Sequence, residues 1–128
     1  MTTVNRLGEL ERAIMDVLWD TDAPLTVREV SARLTERNLA HTTVMTVLDR
    51  LAKKGFARRQ RDGRAWRYEP TGSRSGYTAA LMSDALATSA DHRTALAHFA
   101  LQMSPHDAAL LREALDQALG KAEAGKPR

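Results

Sequence analysis

The chain contains no cysteine. That absence removes disulfides, zinc ribbons, thiolate metal sensors and cysteine nucleophiles together. Aromatic residues are scarce, with two Trp, two Tyr and two Phe among 128 residues, too few for the stacking platforms that hold single-stranded nucleic acid. No apolar run approaches the ~18 residues that a membrane span needs. The stretch from Met1 to Glu9 lacks the apolar core of a secretory signal, so a cytoplasmic location is expected. The four histidines, His41, His92, His98 and His106, do not fall at zinc-ligand spacings beside carboxylates. No metal and no cofactor is expected. There is no glycine-rich phosphate loop, and Ser73 and Ser75 lie among small residues with no base to activate them. No catalytic residue emerges, and the chain is not expected to be an enzyme.

What is present fits a small globular protein. Hydrophobic residues make up 43% and charged residues 27%, close to the soluble average. The length suits one domain or two very small ones. Net charge is +3, but its distribution is uneven. Residues 1–70 hold 13 basic and 10 acidic side chains, whereas residues 71–128 hold 6 of each. Within residues 50–67, Arg50, Lys53, Lys54, Arg58, Arg59, Arg61, Arg64 and Arg67 face only Asp62. Such local density points to a polyanionic partner.

Periodicity predicts a helix over 7–19, where Leu7, Leu10, Ile14, Val17 and Leu18 share one face. Pro24 cannot continue it. Thr26-Val27-Arg28-Glu29 is a capping box opening a second helix that runs to about Arg37 and buries Val27, Val30 and Leu34. A third helix starts at Thr42 or Thr43 and ends at Gly55. Val44, Val47, Leu48 and Leu51 form its apolar side, and Thr43, Thr46, Arg50 and Lys53 its polar side, with Asp49 at the edge. The period then changes to that of strands. Asp62-Gly63 between 56–61 and 64–69 signals a hairpin, with a two-residue loop that would set Arg59 opposite Trp66 and Ala57 opposite Tyr68. Trp66 and Tyr68 are expected to pack the hairpin onto the helices.

Residues 71–76 are small and read as a linker, which places a boundary at about residue 72: a DNA-binding winged helix over 1–71 and a helical dimerisation domain over 72–128. Beyond it, Leu81, Met82, Ala85 and Leu86 form one helical stripe and Leu96, Phe99, Ala100 and Met103 another. Ser104-Pro105-His106-Asp107 opens a third helix, with serine as N-cap and proline at N1. Leu111, Leu115 and Leu119 line it, Gly120 is expected to stop it, and Lys121 to Arg128 are expected to fray. Three short helices cannot bury every stripe within one chain. A second copy would cover Leu81, Leu86, Leu96, Phe99, Leu111, Leu115 and Leu119.

The expected fold class is mainly α with a small β-hairpin, a winged helix-turn-helix plus a C-terminal helical dimerisation arm. A helix fits the major groove of B-DNA when its outer side is short and polar or cationic. Thr43, Thr46 and Arg50 are the candidate base readers. Thr42, Lys53, Lys54, Arg58, Arg59, Arg61, Arg64 and Arg67 are the candidate phosphate and wing contacts.

The residues also resemble a known family. Leu7-Gly8-Glu9-Leu10-Glu11 through Val17-Leu18-Trp19 is similar to the opening helix of the BlaI/MecI/CopY penicillinase-repressor family. Thr42-Thr43-Val44-Met45-Thr46-Val47-Leu48-Asp49-Arg50-Leu51-Ala52-Lys53-Lys54-Gly55 is similar to its recognition helix, and the likeness continues to Tyr68-Glu69-Pro70. The resemblance implies a homodimeric repressor on a two-fold operator, controlling β-lactamase or related resistance genes. It implies release by a membrane-bound sensor metalloprotease that cuts an Asn-Phe bond in the C-terminal arm, for which His98-Phe99 is the nearest counterpart. The copper-responsive branch uses a cysteine cluster that this chain lacks. Two alternatives stay open at this point: a winged-helix regulator relieved by a small molecule bound between subunits, and a winged-helix protein-interaction module without DNA function.

Overall fold

A computed structural model describes residues 6–124, with side chains described to Lys121. It divides into two compact units between Asp84 and Ala85. The first unit contains α1 (Glu9–Trp19), β1 (Leu25–Thr26), α2 (Val27–Ala32), a 3₁₀ turn (Thr35–Arg37), α3 (His41–Lys54), β2 (Ala57–Asp62), β3 (Ala65–Pro70) and most of α4 (Arg74–Ala87). The core lies where α1, α2 and α3 meet the sheet. Ile14, Val30, Val44, Leu48 and Leu51 are fully buried there, with Met15, Leu18, Leu25 and Tyr68 around them. These are the residues that helical and strand periods bring to one side.

The capping box at α2 forms as expected. Thr26 Oγ1 accepts from the Glu29 amide at 3.2 Å, and Glu29 Oε1 accepts from the Thr26 amide at 3.1 Å. The helix ends at Ala32, however, five residues short of Arg37. The Arg33 amide donates to the Val30 carbonyl and the Leu34 amide to Ser31, so the spiral tightens. Asn38 then takes a left-handed backbone (φ 50°). The tighter path lets both Leu34 and Leu39 pack against the core. α3 ends as expected at Gly55, whose φ is 87°, with the Phe56 amide closing back on the Leu51 carbonyl.

The hairpin forms in a register two residues away from expectation. Arg59 pairs with Tyr68, Arg61 with Trp66 and Asp62 with Ala65. The turn is therefore Gly63-Arg64, and of the two only Gly63 has positive φ (64°), the sign pattern of a type II′ turn. A shift of two keeps every side chain on its expected face. β1 was not foreseen. Leu25 and Thr26 pair with Tyr68 and Arg67, giving a three-stranded antiparallel sheet in the order β1-β3-β2.

Residues 74–76 belong to α4, not to a linker. Ser73 Oγ accepts from the Gly76 amide at 3.0 Å and opens the helix. Arg74 then pairs with Asp16 (3.3 Å) and Asp20 (2.9 Å). Tyr77 Oη accepts from the Leu7 amide at 2.9 Å, and its ring lies between Trp19 and Phe56. These contacts carry the first unit past residue 72, where only the composition changes.

The second unit contains α5 (His92–Gln102) and α6 (Pro105–Ala124). Asp91 caps α5 by accepting from the Thr94 amide at 3.1 Å. Ser104 caps α6 as expected, accepting from the Asp107 amide at 3.1 Å. Gly120 does not stop α6, which continues to Ala124. A helical glycine costs only about 1 kcal/mol, and the lysine, alanine and glutamate that follow favour the helix. Of the expected frayed tail, residues 121–124 are helical and residues 125–128 lie outside the described residues.

Candidate nucleic-acid interface

The buried stripe of α3 leaves its opposite side open. Thr42, Thr43, Thr46, Arg50 and Lys53 are all exposed. Thr46 Oγ1 donates to the Thr42 carbonyl at 2.8 Å. Its single proton is thus spent on the backbone, and the exposed hydroxyl oxygen keeps lone pairs that can accept. Among the described residues, no carboxylate lies within ion-pair distance of Arg50 or Lys53.

The wing has two faces of different chemistry. One begins in the core with Ala57 and Tyr68 and ends with Arg59, Arg61 and Trp66. The Arg59 guanidinium lies 4.3 Å and that of Arg61 5.3 Å from the Trp66 ring centre. Trp66 is half-buried against the core, so it packs as expected and also aligns two cations. The other face pairs charges internally. Arg58 and Gln60 both bond Glu69 Oε1 at 2.8 Å. Arg67 reaches Asp62 (2.7 Å) and Glu29 (3.0 Å). The Arg58 hydrogen bond holds the Glu69 carboxyl below its usual range. The bond from the Thr26 backbone, reinforced by Arg67, does so for Glu29.

The basic run is thereby sorted. Lys54 bonds the buried Glu11 at 2.9 Å, and Arg58 and Arg67 hold carboxylates of the wing and α2. Arg59 Nη1 lies 3.5 Å from Asp49 Oδ1. Arg50, Lys53, Arg61 and Arg64 have no carboxylate partner among the described residues. The Tyr68 hydroxyl donates to Asp49 Oδ1 at 2.6 Å. Burial first and Asp49 second push the Tyr68 hydroxyl above its ordinary value.

Between α3 and the wing runs an open groove of about 610 Å³, lined by Arg28, His41, Met45, Arg64 and Trp66 among others. Sequence reasoning missed two of these. Met45 is 41% exposed, an apolar side chain on the wing side of α3. It belongs to neither the apolar nor the polar stripe that the helical period marks out. Arg28 is exposed in the first turn of α2, isolated in sequence from the basic run. Among the described residues there is no metal-ligating cluster and no helix long and apolar enough to cross a membrane.

The C-terminal candidates divide. Leu81 packs against the first unit's core, and Leu86 is half-buried. Leu96, Phe99, Leu111, Leu115 and Leu119 are exposed, as is Met82 of the first stripe, and so are Leu101 and Leu110, which belong to none of the expected stripes. His98 and Phe99 lie inside α5.

Comparison with known proteins agrees with this fold. The penicillinase repressor family matches residues 7–117. The chain is 47% identical to the transcriptional regulator BlaI of Mycobacterium tuberculosis strain CDC 1551 over 129 aligned positions, covering 98% of this chain and 91% of that one. The BlaI of strain H37Rv matches to the same extent. The solution structure of the DNA-binding domain of the repressor BlaI superposes with a TM-score of 0.50 at 28% identity, covering 59% of this chain and 92% of that one. The chain belongs to the penicillinase repressor family and is a winged-helix transcriptional repressor of the BlaI type, not an enzyme.

Proposed function

We propose that this repressor binds a two-fold operator as a homodimer, laying α3 in the major groove and the wing along the flanking backbone. The observation that carries this reading is the shared exposure of Thr43, Thr46 and Arg50 on the acid-free side of α3. Their short hydroxyls and one guanidinium suit base edges. Thr42, Lys53, Arg59, Arg61 and Arg64 serve phosphates. Lys54, Arg58 and Arg67 hold the scaffold through their carboxylates. The exposed leucines of α5 and α6 supply the subunit contact, and the genes controlled are those of β-lactamase or related resistance functions. The test compares a duplex selected by the wild-type chain with a shuffled duplex. Arg50→Ala and Thr46→Ala weaken the selected duplex preferentially, by roughly 1–3 kcal/mol. Arg61→Ala weakens both and flattens the salt dependence. Equal losses on both duplexes from all three changes sink the base-reading assignment.

Relief of repression, in the same proposal, comes from a membrane-bound sensor metalloprotease that cuts His98-Phe99. The bond lies within α5, so the helix must open locally before a protease can act. Mass spectrometry of the protein from cells before and after β-lactam exposure decides this. A fragment ending at His98 supports it, and intact protein accompanied by derepression rejects it.

A further inference from the structure

An acid stands in the middle of the cationic surface. Asp49 is half-buried at the edge of α3's outer side, forming a wall of the groove beside the wing. It also lines the cleft on its other side with Lys53, Arg58 and Arg59. One oxygen of its carboxylate does two jobs. It accepts the Tyr68 hydroxyl at 2.6 Å and lies 3.5 Å from Arg59 Nη1. The Arg59 guanidinium also lies over the Trp66 ring, 4.3 Å from its centre. A carboxylate in this place disfavours phosphate, since like charges repel most where water is displaced. A surface built only for affinity would omit it.

We propose that Asp49 is a specificity-determining residue, which fixes Arg59 between α3 and the wing and withholds it from random duplex. The proposal rests on the DNA-binding reading above. While Arg59 faces Asp49, its charge is partly neutralised and its head is fixed by the Trp66 stack. A random duplex then gains little from it. A matched duplex that seats α3 fully through Thr43, Thr46 and Arg50 brings its backbone close enough to draw Arg59 off Asp49, and so regains the phosphate contact that a random duplex misses. Asp49 thus lowers binding to all DNA, but lowers the unmatched part more. Tyr68 donates to the same oxygen, but the charge that faces Arg59 belongs to Asp49 alone.

The test uses the full chain, with the tightest duplex that the wild type selects from a randomised library and a shuffled duplex of equal composition. Asp49→Asn keeps an oxygen for the Tyr68 hydroxyl and removes the charge. It is expected to tighten the shuffled duplex by about threefold or more and the selected duplex by less. It is also expected to steepen the salt dependence by about one ion. In an Arg59→Ala background the same change still relieves repulsion of phosphate but no longer favours the shuffled duplex over the selected one, because the double-mutant cycle removes the partner. Tyr68→Phe is the structural control. It removes the hydroxyl but keeps the Asp49 charge beside Arg59, and it leaves the ratio of the two affinities near that of wild type. An Asp49→Asn protein with wild-type ratio and salt slope overturns the proposal. So does a Tyr68→Phe protein that reproduces the Asp49→Asn effect, or an Asp49→Asn change in the ratio of the two affinities that survives Arg59→Ala. A wild-type chain that binds neither duplex overturns the DNA-binding reading itself, and the role of Asp49 with it.

Discussion

At the residue scale, stability rests on a few polar contacts whose loss is separable. Thr26→Ala removes the hydroxyl that accepts from the Glu29 amide. A lost N-cap costs about 1 kcal/mol, read as a lower urea midpoint by tryptophan fluorescence, since Trp19 and Trp66 both lie in the first unit. Ser31 gives the opposite sign. Its buried hydroxyl has no hydrogen-bond partner, so Ser31→Ala removes a desolvated polar group and adds helix propensity. The same measurement should show a gain of up to about 1 kcal/mol. Glu11 controls the acid limb. The Lys54 hydrogen bond first, and the Gly8 amide second, hold its carboxyl below the usual range in the folded chain. A carboxyl lowered on folding contributes stability above its unfolded value, about 4.3. That contribution fades as pH falls through the folded value. Glu11→Gln should therefore flatten the loss of stability on acidification below about pH 4–5. An unchanged acid limb in urea titrations at several pH values removes Glu11 from the account.

At the element scale, the hairpin separates what was legible from what was not. Alternation placed Arg59, Arg61, Trp66 and Tyr68 on one face correctly, because faces depend only on period. Register depends on the turn. Asp62-Gly63 suggested a turn needing positive φ at both positions, whereas the chain uses Gly63 as the first turn residue and Arg64 as the second. An added Cβ at Gly63 meets nothing within 4 Å, so Gly63→Ala tests backbone strain alone. It should cost about 1–2 kcal/mol and loosen the wing, with amide exchange in β2 and β3 as the measure. The recognition side of α3 was also legible, since one helix contains the whole pattern. The sorting of its cations was not. Lys54 meets Glu11 from 43 positions away and Arg67 meets Glu29 from 38. Spacing within a local run cannot disclose such partners. The two-residue β1 and the early start of α4 were hidden for the same reason: each is stabilised by contacts distant in sequence, at Tyr68 for β1 and at Asp16 and Leu7 for α4.

At the scale of the whole molecule, the two compact units make different demands on the chain. The composition alone suggests that a protein ending at residue 72 folds by itself. Tyr77 says otherwise, because it is buried and bonded to the Leu7 amide. A chain ending at residue 72 loses that ring and the Arg74 pairs, a loss comparable to the ~3–5 kcal/mol of a large aromatic deletion. A chain ending at Ala87 keeps both and should melt close to the full chain's first unit. The second unit has the reverse property. Leu96, Leu101, Leu115 and Leu119 are each about half exposed or more, far more apolar surface than 44 residues leave open without a partner. Self-association through these leucines is the expected outcome, with a dimer in sedimentation velocity at micromolar concentration. Leu115→Asp together with Leu119→Asp should give a monomer whose first unit melts unchanged. Binding of the selected duplex should fall steeply, since the two half-sites no longer share one binding event and the effective-concentration gain of roughly 10²–10⁴ disappears. Binding of a single half-site should not change. A full-length protein that sediments as a monomer, or a double variant that stays dimeric, places the subunit contact elsewhere.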